Sequence, residues 1–377
     1  MSLNINWLNA IAQKTIHRQA VYDYVFRTAA ILAYLRRNGL EPYEGGVSVD
    51  DAILFDAMLA GSYDTGDPFN TDVTEPIAGR TFTPRKYYAP VAEYLENLAV
   101  NRGPASVFNA LKIKHAASLK TLNTVINVDL YRHGQSISGE DRSQKTNGLE
   151  EALSNGTDQS YYGNTFTSYG GQTRNAEVGE ALNSTPLFGG NTSTGVAGQA
   201  TYDLLLDGYL SACKGDRKPD IGLCNKTFWG FLLKRIQSAQ QFHFDVKVGS
   251  EAVFGATSIK FMNTDIMIDE YAPTRSNEGA NAKLGVWRTD ATETISGTPT
   301  SDSRLPASGT YAPAEVFFWL NSSTLKFILS THPLFRFGWT GYIPAQGNSK
   351  IVGRTHVMGT MKVTEPWLNK VIFGCNS

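Results

Sequence analysis

Residues 103–134 read GPASVFNALKIKHAASLKTLNTVINVDLYRHG. Val107, Leu111, Leu119, Leu122, Val125, Ile126 and Leu130 recur at helical spacing with lysines and asparagines between them, which predicts a long amphipathic helix. Pro104 suits a first helical turn, where its missing N–H loses no partner. Gly134 is the residue type that ends helices in the left-handed conformation. Uninterrupted, residues 104–133 make a rod of roughly 45 Å at ~1.5 Å per residue. The β-branched cluster from Thr121 to Val128 weakens the second half, which is expected to fray or turn extended. Taken alone, the stretch describes an ordinary core helix equally well, so its neighbours must decide.

Upstream, residues 5–38 carry a helical pattern through Leu8, Ile11, Ile16, Val21, Ile31 and Leu35 that stops on Arg36, Arg37, Asn38 and Gly39. Its aromatic residues (Trp7, Tyr22, Tyr24, Phe26, Tyr34) predict an arm packed on something else. A short helix is expected over Ser48–Ala60, capped by Ser48 with Asp50 and Asp51 in its first turn. Residues 61–89 then break the pattern with Pro68, Pro76, Pro84 and turn glycines. So long an excursion without a core face is unusual inside a compact domain. It reads as a projecting two-stranded loop that needs a neighbour, with a disordered surface loop as the alternative. Arg80, Arg85 and Lys86 beside Phe82, Tyr87 and Tyr88 are too few charges for a nucleic-acid patch.

Downstream of Gly134, a helix is expected around Leu204–Leu210, a buried strand at 219–224 and a helix over Lys226–Gln240. Strands follow at Phe242–Val248 and Ile259–Asp269. Residues 274–312 form a Gly/Ser/Thr/Pro-rich insertion, and strands return at 314–329 and from Phe335 to Phe373.

The 377 residues hold 34 basic and 35 acidic side chains, so net charge encodes no general attraction to nucleic acid or membrane. Cys213, Cys224 and Cys375 are too scattered for a disulfide framework or a zinc site. The start of the chain lacks the pattern of a signal peptide, and no apolar run reaches the ~18 residues needed to span a bilayer. The six histidines form no ligand pair, and no GxSxG, Walker loop or Rossmann fingerprint occurs. The acidic pairs Glu140–Asp141, Glu150–Glu151 and Asp269–Glu270 read as solvated faces rather than acid/base dyads. His115 reads as a packed histidine, with a pH sensor as the alternative. Neither catalysis, a cofactor nor a metal is expected.

This order of elements resembles the major capsid proteins of tailed bacteriophages, an α+β architecture of the Hong Kong 97-type, to which encapsulins and herpesvirus capsid floors are similar. The stretch Gly148–Asn175 carries the most specific likeness, through Gly148, Ala152, Leu153, Gly156, Thr157, Tyr162, Gly163 and Arg174. Pro219–Leu232, Ile259–Pro273 and Val316–Phe327 add weaker echoes. The resemblance implies an N-terminal arm (1–40), an extended loop (61–100), a peripheral domain (41–60 and 101–197) with a spine helix (104–133), an axial domain (198–330) and returning peripheral strands (331–377). It implies a coat protein that joins itself in hexamers and pentamers, made in the bacterial host cytoplasm and resident in the virion. Expected partners are other copies, a separate scaffold protein, a portal, a decoration protein and weakly held double-stranded DNA, with no membrane. Arg80, Arg85, Lys86, Tyr87 and Tyr88 of the loop, with Arg36 and Arg37 of the arm, are the expected inter-subunit contacts. An encapsulin-like compartment, a tail or baseplate protein, and a secreted β-rich hydrolytic or carbohydrate-binding protein are the alternatives.

Overall fold

The structure is a computed structural model that describes residues 30–66, 72, 74–100, 110–137, 140–158, 160–161, 164–174, 179–188, 198–199, 202–238, 259–262, 264–273, 315–345 and 349–376. In chain order its main elements are α1 (Ala30–Asn38), β1 (Leu40–Tyr43), β2 (Val49–Leu54), β3 (Ile77–Phe82), β4 (Arg85–Tyr94), α2 (Leu95–Val100) and α3 (Ala110–Asp129). There follow α4 (Leu149–Ala152), α5 (Tyr202–Ala212), β5 (Ile221–Cys224), α6 (Lys226–Ser238), β6 (Ile259–Phe261) and β7 (Thr264–Ile268). The chain closes with β8 (Glu315–Leu320), β9 (Leu325–Ser330), β10 (Arg336–Trp339), β11 (Ile343–Pro344), β12 (Lys350–Val363) and β13 (Lys370–Asn376).

The expected long helix is α3. It runs unbroken through its β-branched half to Asp129, against the expected fraying. Leu122, Ile126 and Leu130 are buried along one side, and that packing outweighs the intrinsic preference of Thr and Val. Helix α1 lies on it: Leu32 N–H donates to Asn127 Oδ1 (3.2 Å), and the Arg36 guanidinium donates to Asn123 Oδ1 (2.6 Å). The expected helix ahead of Ala30, the strand at 242–248 and the insertion at 274–312 lie outside the described residues.

A six-stranded sheet is built on β12. Strand β9 pairs antiparallel with its C-terminal part and parallel with β1, while β4, β10 and β11 pair antiparallel with the rest. The β4–β12 ladder runs from Arg85 opposite Gly359 to Tyr94 opposite Lys350. Along β4, Tyr87, Ala89, Val91 and Glu93 turn inward. Ser118 Oγ of α3 donates to Ala89 O (3.1 Å), and Lys114 pairs with Glu93, so this inner face sits on the spine. Lys86, Tyr88, Pro90, Ala92 and Tyr94 turn outward, as the period of two requires.

A seven-stranded sheet takes the order Gly198–Gln199, β13, β8, β5, β7, β6, with Leu187–Phe188 also on β13. Strand β8 is apolar at successive positions because both its faces are covered. Val316, Phe318 and Leu320 belong to the core shared with α1, α3 and the six-stranded sheet. Phe317 and Trp319 belong to a second core with Leu205, Tyr209, Phe228 and Phe261. The expected boundary at residue 330 cuts across both sheets: β9 belongs to the six-stranded one, and β13 returns to the seven-stranded one.

The segment expected as a helix at Ser48–Ala60 is instead strand β2, paired antiparallel with β3 from Val49 opposite Phe82 to Leu54 opposite Ile77. The projecting feature is therefore a ribbon made of β2, β3 and the segment between them. It begins before residue 61, and it ends before Arg85, where the chain enters the six-stranded sheet.

Candidate assembly surface

The ribbon carries large apolar side chains that are exposed. Leu54, Met58, Tyr63 and Ile77 are each about two-thirds exposed (66%, 65%, 68% and 64%). A two-stranded hairpin is marginal in water by itself, so its base has to be held. Phe82 is buried with its ring edge-on to Tyr169, centroids 5.5 Å apart. Arg80 is 1% exposed, pairs with Asp51 Oδ2 across the ribbon (2.5 Å) and donates to Val363 O (3.3 Å). Thr81 N–H donates to Gly170 O (2.8 Å), and Gln172 donates to Gly79 O (2.5 Å).

Tyr169, Gly170 and Gln172 belong to the hairpin Ser168–Tyr169/Gln172–Thr173, whose two turn residues, Gly170 and Gly171, have φ of 59° and 78°. Two successive positive φ values are the requirement of a tight hairpin turn and explain the glycine pair. At Gly170 a Cβ would also stand 3.0 Å from Arg80 Cβ and from Phe82 Cζ.

Beneath that hairpin lies a buried polar cluster. Glu150 and Glu151, expected on a solvated face, are both fully buried on α4. Glu150 Oε2 meets His133 Nδ1 (2.8 Å), and its Oε1 accepts from Ser160 Oγ (2.6 Å) and Asn164 Nδ2 (2.8 Å). Glu151 Oε2 accepts from Gly134 N–H (3.3 Å), while its Oε1 is without a partner. Burial pushes the Glu151 carboxyl up to about 8, the Gly134 N–H and the charge of Arg174 opposing. Burial lowers Arg174 to about 10; its guanidinium donates to Glu151 O (2.6 Å) and lies 5.6 Å from the Tyr169 ring centre. Burial, with Glu151 adding to it, raises the Tyr169 phenol, whose oxygen accepts from Val363 N–H (2.8 Å).

This gives physical content to the sequence stretch Gly148–Asn175. A side chain at Gly148 would collide with the carbonyls of Asp129, Leu130 and Arg132 at the end of α3, where Leu149 N–H donates to Leu130 O (2.7 Å). Gly156 takes a φ of 84° in a turn closed by Asn155 Oδ1. Tyr162 and Gly163 lie outside the described residues.

The expected contact residues separate into two groups. Arg80 and Tyr87 face the inside of their own subunit, contrary to the expectation of contact with a neighbour. Tyr87 O–H donates to Asp129 Oδ2 (3.0 Å) and accepts from Thr146 N–H (2.8 Å). Asp129 also pairs with Arg142 (2.5 Å), and burial with the nearby Asp129 charge raises the Tyr87 phenol. Arg36 is likewise turned inward, 4.0 Å above the Phe337 ring. Lys86 and Tyr88 are exposed on the outer face of β4, Arg37 is exposed on α1, and Arg85 is half-buried. Asp269, expected on a solvated face, is instead buried and accepts from Ile31 N–H (3.0 Å) and Tyr131 O–H (2.9 Å), holding α1 by its first turn. Burial raises its carboxyl. His115 packs against the Trp339 ring at 4.4 Å. Among the described residues no group of His, Cys, Asp and Glu could hold a metal, and no helix is long and apolar enough to cross a membrane.

No protein-family model matches the sequence, and no curated protein matches it. Solved structures do. The capsid asymmetric unit of cyanophage A-1(L) matches with TM-score 0.62 at 11% identity, over 98% of this chain and 99% of that one. The capsid of a native GTA particle matches with TM-score 0.59 at 12% identity, over 97% and 99%. The holo-SrpI encapsulin complex of Synechococcus elongatus PCC 7942 matches with TM-score 0.56 at 8% identity, over 100% and 97%. Likeness of this extent shows a common fold, and it is the mixed helix-and-strand capsid fold of the Hong Kong 97-type.

Proposed function

We propose that this chain is the major capsid protein of a tailed, double-stranded DNA bacteriophage, joining copies of itself into hexamers and pentamers of an icosahedral head. The observation that carries the reading is the ribbon: an anchored projection whose outer part leaves Leu54, Met58 and Ile77 about two-thirds exposed. One such contact buries little, but a closed shell repeats it for every copy, and avidity makes weak contacts collectively strong. The fold shared over nearly the whole chain with solved capsids supports the same assignment. The role is structural rather than enzymatic. A scaffold protein, a portal, a decoration protein and loosely held DNA are its partners, and the near-balance of 34 basic and 35 acidic side chains suits a wall that does not grip the genome. Exposed Lys86, Tyr88 and Arg37 are the inter-subunit contacts retained from the sequence; the arm, spine and two sheets correspond to the arm, spine, peripheral and axial regions.

Sedimentation velocity and negative-stain microscopy of the purified chain test this. Shells, or mixtures of hexamers and pentamers, are expected; a stable lone monomer at every concentration refutes it. The match to an encapsulin over the full chain supports a second reading, a protein compartment. Particles isolated from the native source separate the two, since DNA inside marks a phage head and a co-purifying enzyme marks a compartment.

A further inference from the structure

The ribbon is fastened to its own subunit through the 168–173 hairpin, and the end of that hairpin is tied to α4 by one cation, Arg174. On the ribbon side, Thr81 N–H donates to Gly170 O (2.8 Å) and Gln172 donates to Gly79 O (2.5 Å). Arg80 and Tyr169 converge on Val363, Arg80 donating to its carbonyl (3.3 Å) and the phenol oxygen accepting from its N–H (2.8 Å). On the other side, the Arg174 N–H donates to Thr167 O (2.8 Å). Its guanidinium donates to Phe166 O (3.4 Å) and Glu151 O (2.6 Å) beside the Tyr169 ring.

The guanidinium thus meets main-chain carbonyls and not the Glu151 carboxyl, although its charge reaches that group. Glu151 Oε1 and Arg174 Nε are both buried without a partner. The arrangement suits a neutral acid beside a cation: burial keeps the Glu151 carboxyl protonated up to about 8, while Arg174, lowered by burial to about 10, is still charged there. The other groups around them are engaged. Glu150 holds His133, Ser160 and Asn164; Asp129, at the end of α3, holds Arg142 and Tyr87; Asp51 on the ribbon holds Arg80. Burial raises the Tyr169 phenol, which stays neutral. The stem of Arg174 packs against Gly156, where a Cβ would stand 3.2 Å from its own Cβ, so a turn of the guanidinium pulls on the strand that carries it.

We infer that Glu151 and Arg174 form a pH-sensitive latch on the ribbon. While the acid is neutral, Arg174 braces the hairpin; once the acid gives its proton to solvent, the carboxylate draws the guanidinium to itself and slackens the hairpin that holds residues 79–82. The ribbon is therefore held firmly in neutral solution and loosely in alkaline solution. The latch belongs to the single subunit, and its consequence for assembly rests on the shell reading above: a loosely held ribbon costs more entropy to order against a neighbour.

Hydrogen–deuterium exchange of unassembled subunits at pH 6.5 and pH 9, corrected for the intrinsic pH dependence of exchange, tests it. Relative to the amides of β8, those of 77–82 and 168–173 are expected to lose protection about tenfold at pH 9 in the parent. E151Q, which keeps the shape and does not titrate, is expected to change by less than about twofold. R174Q, lacking the brace, is expected to show the lowered protection at both pH values. No fall in the parent, a fall shared by β8, an equal fall in E151Q, or parent-like protection of R174Q at pH 6.5 overturns the latch. In sedimentation velocity at pH 9 the parent is expected to need about tenfold more protein than E151Q to form shells, and an equal requirement overturns the latch's part in assembly. Shells from neither chain at any pH overturn the shell reading, while the exchange measurement still decides the latch.

Discussion

Replacing Glu151 with Gln should stabilise the subunit, and more so the higher the pH. In the folded chain the carboxyl is fully buried with one oxygen unpartnered and stays protonated up to about 8; its ordinary value is 4.5. A raised carboxyl favours folding below the unfolded value, and that advantage disappears as pH rises through the folded one. Between these limits the unfolded chain releases a proton that the folded chain keeps. At ~1.4 kcal/mol per pH unit, the loss is about 3 kcal/mol by pH 7 and about 5 kcal/mol above pH 8. Gln reproduces the shape and neutrality of the protonated acid, keeps an acceptor for Gly134 N–H, and does not titrate. E151Q and the parent should therefore agree within about 1 kcal/mol at pH 5. By pH 9 the variant should be ahead by several kcal/mol. Urea unfolding of unassembled subunits at pH 5, 7 and 9, followed by tryptophan fluorescence, measures this directly. A difference that stays flat across pH, or a variant weaker than the parent at pH 9, refutes the reasoning.

Tyr87→Phe leaves Asp129 Oδ2 and Thr146 N–H short of a buried partner and should cost about 1–3 kcal/mol, read as a lower urea midpoint with an unchanged slope. Gly148→Ala forces a methyl into the carbonyls that end α3 and should cost about 3 kcal/mol or more, seen as insoluble or low-melting protein. Leu54 and Ile77 are directly opposed, so residues 55–76 can be replaced by an Asn-Gly turn without disturbing the register. That truncated chain should stay folded, losing only the packing of Phe55 on the core, yet form no shells; normal shells would remove the ribbon from the assembly mechanism.

The features legible in the sequence are those in which one side chain's burial repeats at a fixed period. The core side of α3 was readable from Leu122, Ile126 and Leu130, and β8 from the run VFFWL. Strand β2 was not, because VDDAIL lies on a ribbon with little buried on either side and so shows no clean alternation of polar and apolar residues. Its partner β3 is more than twenty residues away, beyond the reach of a local pattern. Glu150 and Glu151 look like any solvated acidic pair, since only the assembled surroundings of His133, Ser160, Asn164 and Arg174 make their burial tolerable. Arg80 and Tyr87 misled for a related reason. A basic–aromatic stretch suggests an outward contact, and only the pairing of β3 with β2 and of β4 with β12 reveals which residues of an alternating strand point in.

Strand β8 acts as a party wall, and this has a consequence for how the subunit is made and broken. Phe318 closes one interior, beside Tyr131 and Tyr161, while Trp319 closes the other, its indole N–H donating to Leu205 O (3.1 Å). Neither lobe can be excised with its lining complete, so melting one must expose the other. Such a molecule should unfold in a single step rather than lobe by lobe, and damage in either lobe should be felt throughout the brick from which the proposed shell is laid.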